Sequence, residues 1–387
     1  MAETGSAREI RFLESVENLK RVVLTATGRH INTGAALQVS SCLQQGRLFF
    51  EAATAGAGEI RPLLLAYGTI AFAKATVVAR TFTKLEALPQ SHGLKDVSAP
   101  NALIKDLRVK IEGDGVFQRS VDAANSVERL SLLDNSRTVW ISTPSCKSSA
   151  LTNLELSLDD ILGRLGDLAT LYRETLLREP NALVTSLTQN MNARDLYELR
   201  VDIPATAGPS TRELLSIVGD LKERFPFLLK LNFCSASFAW DHIVIIFDNS
   251  QQGGKFPIAE TDIQTVDQGA QLLPVPQQAG GEVKPIPLGE ALPCSQGGLQ
   301  GYFPTFSSPV RDDTYLSEFT LLYLGTHLLG SLVRYRPQIW VHALYGTETP
   351  SRPRDDATRA LIEDFLDLAA RKVPQWCASA IRAVTLP

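Results

Sequence analysis

The chain has 387 residues, enough for about two or three domains or one large irregular one. Its hydrophobic fraction of 44% and charged fraction of 21% fit a globular protein with a sizeable core. A formal charge of −4 and an isoelectric point near 5.8 exclude a broad electrostatic footprint for nucleic acid, though not a local basic pocket.

Residues 8–24 carry apolar side chains at helical spacing (Ile10, Leu13, Val16, Leu19, Val23), which predicts one amphipathic helix. Asn32 and Thr33 can cap the next helix, Ala35 to about Ala53, and Gly56 and Gly58 end it. Pro62 suits the first turn of a further helix from Arg61 to about Phe82. On that helix Leu63, Tyr67, Ile70, Lys74 and Val77 share a face, while Ala66, Gly68, Ala71, Ala73 and Ala75 would let a neighbour approach closely. A loop then closes on Ser91-His92-Gly93-Leu94.

The period changes at Leu107, Val109 and Ile111, and Gly113-Asp114-Gly115 turns the chain, which predicts a β-hairpin near 107–121. Thr138–Ser142 could add a short strand. Ser157 caps a predicted helix running through Leu171 to its stop at Pro180. The middle third is richer in β signals. Tyr197–Ile203 alternates, Ser210–Glu223 reads as a helix, and Leu229–Phe238 with His242–Phe247 forms a hairpin around Trp240. Asn249–Gln300, rich in Gln, Gly and Pro, reads as a long loop. Helices return at Tyr315–Tyr335, from Pro337, and over Asp355–Arg371.

Five cysteines (Cys42, Cys146, Cys234, Cys294, Cys377) lie scattered with no CxxC pair, which points to reduced thiols in a cytoplasmic protein. The first residues hold no apolar signal segment. The most apolar run, Phe319–Val333, falls short of the roughly 20 residues of a membrane span, so no membrane partner is expected.

Three stretches carry a family resemblance: Gln45-Gly46-Arg47-Leu48-Phe49-Phe50-Glu51-Ala52, Ile60-Arg61-Pro62-Leu63-Leu64-Leu65-Ala66-Tyr67-Gly68, and Ser91-His92-Gly93-Leu94. Near the other end stand Gly330-Ser331-Leu332-Val333-Arg334-Tyr335-Arg336-Pro337-Gln338-Ile339-Trp340 and Leu361-Ile362-Glu363-Asp364-Phe365. The pattern resembles the YaaC-like family of prokaryotic proteins, which has no established activity, so the resemblance implies a fold more than a function. The helix with Leu-Ala-Tyr and Ala-Lys-Ala, followed by Ser-His-Gly-Leu, is more distantly similar to HEPN domains. Many of those are metal-independent ribonucleases of toxin and antiphage systems, with an Arg followed after four to six residues by a His. That resemblance implies a His handling the 2′-hydroxyl proton and an Arg stabilising phosphate charge.

Arg336 and His342 fit that spacing, but six positions on a regular helix leave two side chains about 120° out of alignment. The alternative is that Arg334 and Arg336 hold carboxylates or helix carbonyls and His342 lies at the surface. His92 is the second catalytic candidate, with Arg61, Lys74 and Arg334 as substrate-binding cations; otherwise His92 bonds backbone carbonyls and Lys74 snorkels at the core edge. Gly56-Ala57-Gly58 lacks the last glycine of a dinucleotide turn, and Gly253-Gly254-Lys255 lacks the spacing of a phosphate loop. Glu282-Val283-Lys284 sits off any strand, and the five histidines lack metal-ligand spacing, so no metal or other cofactor is expected. His327, in an apolar helix, reads as a core histidine.

The expected fold is mainly α with a β-containing middle (α+β), its core a bundle of N- and C-terminal helices. The divisions are a helical 1–180, a mixed 181–310, and C-terminal helices over 311–387 that pack on the first region. Two functions follow: a non-catalytic interaction or regulatory component of a prokaryotic system such as antiphage defence, or a HEPN-like ribonuclease cleaving RNA. A protein partner or homo-oligomer suits the first, RNA the second.

Overall fold

The structure, a computed structural model, describes residues 5–125, 129–134, 137–142, 147–189, 195–205, 209–239, 241–250, 263–265, 271–274, 285–293, 295–296, 304–345 and 358–384. In chain order the elements begin with α1 (Gly5–Glu14), α2 (Val16–Thr27), α3 (Thr33–Ala55), α4 (Arg61–Thr81), β1 (Leu94–Asp96), β2 (Arg108–Ile111) and α5 (Val116–Asn125). There follow β3 (Arg129–Asp134), β4 (Arg137–Ser142), β5 (Glu155–Ser157), α6 (Leu158–Leu162), α7 (Ala169–Leu176), β6 (Ala182–Gln189), β7 (Tyr197–Pro204) and α8 (Thr211–Arg224). Then come β8 (Asn232–Ala239), β9 (His242–Asp248), β10 (Ile263–Thr265), β11 (Gln271–Pro274), α9 (Leu288–Ala291), β12 (Ser295–Gln296) and β13 (Thr305–Ser307). The chain closes with α10 (Glu318–Tyr335), α11 (Pro337–Tyr345) and α12 (Arg359–Arg382). It is mainly helical with a β-containing middle, as the sequence predicts.

Two compact units share the chain: Met1–Glu128 with Cys146–Pro180 and Ser317–Pro387, and Arg129–Ser145 with Asn181–Leu316. In the second unit, β10-β11-β8-β9-β7-β6-β13-β12 form an antiparallel sheet whose core includes Leu199, Val201, Ile245 and Phe247 with Leu214, Val218 and Leu221 of α8. Ser210 and Glu213 close a capping box at the start of α8. β3 and β4 pair separately.

The first unit is built around α4, which packs against α3, α5, α10 and α12. Among the described residues α4 is the helix long and apolar enough to cross a membrane, yet 78% of its most apolar window is buried in this unit. A helix apolar on all sides needs neighbours on all sides. Small residues let them close in: Gly46 and Gly68 seat the rings of Phe72 and Phe50, whose centroids lie 5.2 Å apart. Gly330 of α10 meets α4 so closely that a Cβ there would stand 2.5 Å from the Ala66 Cβ. At the far end of α10, the buried Glu318 accepts from Lys372 Nζ (2.5 Å) and Trp376 Nε1 (3.4 Å) of α12, and Lys372 also pairs with Asp167 at 2.8 Å. Its negative charge in the first turn complements the helix dipole.

Several predicted elements change shape. The helix over 8–24 is two, because Ser15 is extended (φ −72°, ψ 120°) and its Oγ caps α2 at the Asn18 amide. The hairpin near 107–121 has no return strand. β2 pairs instead with β1 and β5, and Val116 onward is helical because the Val116 and Phe117 amides donate to the Ser91 and His92 carbonyls at 3.1 and 3.2 Å. The helix from Ser157 stops at Leu162, where Gly163 caps it and Leu165 is extended, and resumes as α7. Within Asn249–Gln300, β10, β11 and α9 replace bare loop, and Asn249 bonds Tyr197 N and Ile286 O at 2.7 Å each. α12 extends beyond Arg371 and runs through Pro374, carried by buried Val373, Cys377 and Ile381. Trp240, Cys146, Cys294, Gly253–Lys255 and Glu282–Lys284 fall outside the described residues, as does the start, 355–357, of the helix expected from Asp355.

Gly330→Val tests the close approach. Helix propensity alone would favour valine over glycine by less than about 1 kcal/mol. The Ala66 Cβ cannot swing aside, so overpacking should win and destabilise the protein by about 1–3 kcal/mol in denaturant titration. Gly113→Ala, which meets nothing within 4 Å, should stay within about 0.5 kcal/mol of wild type.

Candidate functional site

Beside the α4–α10 crossing lies a cleft of about 610 Å³ within the first unit. Its first wall is the face of α4 read from the sequence: Leu63, Ala66, Tyr67 and Ile70 line it, and Lys74 stands one turn further on. Its second wall is a face of α10, where His327, Gly330, Ser331 and Arg334 follow the i, i+3, i+4, i+7 spacing that stacks side chains along one stripe. The floor is the segment from His92 to Pro100.

That segment is held by its backbone, leaving its side chains to the cleft. Gly93 takes a left-handed φ of +73°, open to glycine without strain. Its carbonyl accepts from Glu112 N at 2.9 Å and Gln118 Nε2 at 3.1 Å. Gly115 packs directly on the Gly93 backbone, with no room for a Cβ. At the other end Asp96 is fully engaged: Oδ1 accepts from Ser98 N (2.9 Å) and Oγ (2.5 Å), and Oδ2 pairs with Arg336. Arg336 also donates to Ala99 O at 3.3 Å. It can turn this way because it precedes Pro337, which disfavours helical backbone at the residue before it, and Arg336 accordingly leaves the helical region (φ −140°, ψ 51°) where α10 ends.

Two imidazoles meet at the centre. The rings of His92 and His327 lie edge to face with centroids 5.7 Å apart. The buried Nδ1 of His92 has no hydrogen-bond partner among the described residues. Partial burial pushes the His92 pKa below its ordinary value, and the positive charges of Lys74 and Arg334 push it the same way. Burial, reinforced by His92 and opposed by Asp96, lowers His327 to about 4. Both rings are therefore neutral at pH 7. Among the described residues neither Lys74 nor Arg334 has a carboxylate partner; Arg334 rests over the Tyr335 ring at 5.0 Å.

A family model for YaaC-like proteins matches residues 15–226 and 284–381. The chain belongs to the YaaC-like family. No curated protein and no solved structure matches it. The matched segments contain every residue lining the cleft of this YaaC-like protein.

Of the residues singled out from the sequence, His92, Arg334 and Arg336 line this cleft and Lys74 acts electrostatically on its centre. Arg336, however, is committed to Asp96. Two candidates lie elsewhere. Arg61, at the start of α4, pairs with Asp367 of α12. His342 is 8% exposed on α11, is engaged by its neighbours and does not line the cleft, so it is neither a surface residue nor joined to Arg336 in a site. The break at Pro337 aims Arg336 toward β1. The sequence reading missed His327 as a site residue, although its stripe with Ser331 and Arg334 was a visible signal: polar side chains at helical spacing on an apolar helix.

These imidazoles fix a sign for the pH dependence of stability. A histidine whose folded pKa is depressed contributes stability above its unfolded pKa, 6.5, that is lost as the pH falls through that value toward 4, because the unfolded chain takes up protons first. The denaturation midpoint should therefore fall between pH 6.5 and 4, and fall less steeply in His327→Asn. Parallel curves for the two proteins would remove His327 from the account.

Proposed function

We propose that this YaaC-like protein is a non-catalytic interaction or regulatory component that binds a phosphate-bearing ligand in the His92 cleft. The observation that carries this reading is the pair of cations, Lys74 and Arg334, which have no carboxylate partner among the described residues and both act on the His92 imidazole, whose buried Nδ1 has no partner among them either. Elsewhere in the same unit Arg47, Arg61, Arg336 and Lys372 all find carboxylates. Cations left open around a partly apolar cleft favour a ligand that brings both negative charge and acceptor oxygens. A protein or a second copy of the chain that responds to the bound ligand, in the cytoplasm, belongs to the same proposal.

Metal-independent RNA cleavage is the second reading. The neutral His92 ring supports it, since it could accept the 2′-hydroxyl proton while Lys74 and Arg334 stabilise the crowded phosphate. The leaving 5′-oxygen also needs a proton, and a His327 with a pKa of about 4 holds almost none at pH 7. That deficit places binding ahead of catalysis.

Calorimetric titration with inorganic phosphate or sulfate tests the leading reading. Lys74→Ala and Arg334→Ala should each weaken binding about tenfold or more, the effect of removing one charge-assisted hydrogen bond. Arg61→Ala should leave affinity unchanged. No binding to wild type, or equal binding to all variants, would overturn the proposal. RNA integrity in cells expressing wild type or His92→Ala, with and without phage challenge, decides the second: breakdown abolished by the substitution would make the protein a ribonuclease.

A further inference from the structure

We propose that the outward face of α3 is a self-association surface, on which a second copy of this chain docks with its own α3 antiparallel. The inference is independent of what the His92 cleft binds.

Leu37, Ser41, Gln44, Gln45, Leu48 and Ala52 form one exposed stripe along α3 at helical spacing, with Leu37 52% and Leu48 51% exposed. Among the exposed residues of α3 the one charge is Glu51, at the edge of the stripe, and Arg11 and Arg47 both bond it. The outward face of a surface helix ordinarily carries charged side chains. Their depletion around exposed apolar groups is the compositional mark of an interface core. On the Gln45 side the stripe runs into a groove of about 780 Å³, which Phe49, Leu64 and Leu85 extend and which no charged residue lines.

Whatever covers such a face has to match it, and α3 matches itself. A two-fold axis between Gln44 and Gln45 sets two copies of α3 antiparallel, the closed symmetry commonest among dimers. Leu37 of one copy then stands level with Ala52 of the other, and Leu48 with Ser41, so each leucine meets a small side chain and the two helices can approach. Gln44 and Gln45 flank the axis on opposite sides of the stripe, and the symmetry brings each of them opposite its own mate. A charged residue there would face its like. A primary amide both donates and accepts, so it can bond its own copy. Neither glutamine side chain bonds a described residue within the chain. From Leu37 to Ala52 the stripe is about 22 Å long. A helix-wide contact of that length, with the groove beside it, buries on the order of 500–1,000 Å² over both copies, less than a standard stable interface, so the dimer is a weak, exchanging one.

Analytical ultracentrifugation of the full chain over a concentration series tests this. The mass of wild type should climb from 42.3 kDa toward its double between about 1 and 200 µM, the range of a small interface. Leu48→Arg, which puts a charge without a partner into the contact, should hold the mass at one chain throughout. Its denaturation midpoint should match wild type, because the side chain it replaces is half exposed. Leu177→Arg, at an 88% exposed position at the end of α7, should associate like wild type. Gln44→Cys should give a covalent dimer with a short bis-maleimide, beyond any formed by wild type or Leu177→Cys. A wild type that stays at one chain at every concentration would overturn the proposal and leave the face to a different protein. A Leu48→Arg protein as dimeric as wild type, or no gain in crosslinking at Gln44→Cys, would also overturn it.

Discussion

The first unit depends on covering α4 on every side. A helix whose residues from Leu65 to Ala79 are nearly all buried exposes no polar face to water, so its stability comes from what packs on it. That coverage is drawn from α3 and α5 nearby and from α10 and α12 at the far end of the chain. The approach must be close, since voids in so apolar an interface forfeit dispersion contacts. Gly46, Gly68 and Gly330 supply that closeness by having nothing to put in the way.

The cleft is a by-product of the same constraint. Where α10 crosses α4 at Gly330 and Ala66 the helices touch, and on the side where their larger side chains diverge the His92 segment fills only the bottom. Lys74 is the one charge on α4 between Arg61 and Arg80, and it is half-buried on the side toward His92. A charge there carries a desolvation cost that an ion pair would ordinarily offset. The carboxylate of the cleft floor, Asp96, is already held by Arg336 and Ser98. Arg336 thus neutralises the acidic group on the cleft floor, and Lys74 and Arg334 are left as the cleft's unpaired charges among the described residues in a protein whose net charge is −4.

Periodicity was a reliable guide wherever a helix or strand followed one uninterrupted pattern. α3, α4, α8 and β7 appear within a few residues of their predicted limits. It failed where a competing hydrogen bond intervened: Ser15 capping a new helix, and Ser91 and His92 carbonyls drawing the Val116 and Phe117 amides into a first helical turn. The Ser15 cap is local and stood in the sequence to be read, whereas the Ser91 and His92 carbonyls lie outside the local sequence of Val116 and Phe117. The same limit governs the site. The α4 face with Lys74 could be read directly, and Gly93 signalled the bend at His92. That His327 would meet His92 could not be read, because it depends on a crossing between helices more than two hundred residues apart in sequence. The Arg336 and His342 spacing misled for a local reason, the helix break at Pro337.

The discontinuity of the first unit has a further effect during synthesis. α4 leaves the ribosome long before α10 and α12 exist, because the whole β-containing segment Asn181–Leu316 is made in between. At ordinary translation rates of about 5–20 residues per second that interval is on the order of tens of seconds. Throughout it, α3 and α5 are the neighbours available to α4, and the sides that α10 and α12 will cover stay open on a helix with the length and apolarity of a membrane span. Holding that helix out of bilayers and aggregates until its last two neighbours arrive is a task for the cell's chaperones, and it makes any shortened chain lacking Ser317–Pro387 a substrate for them.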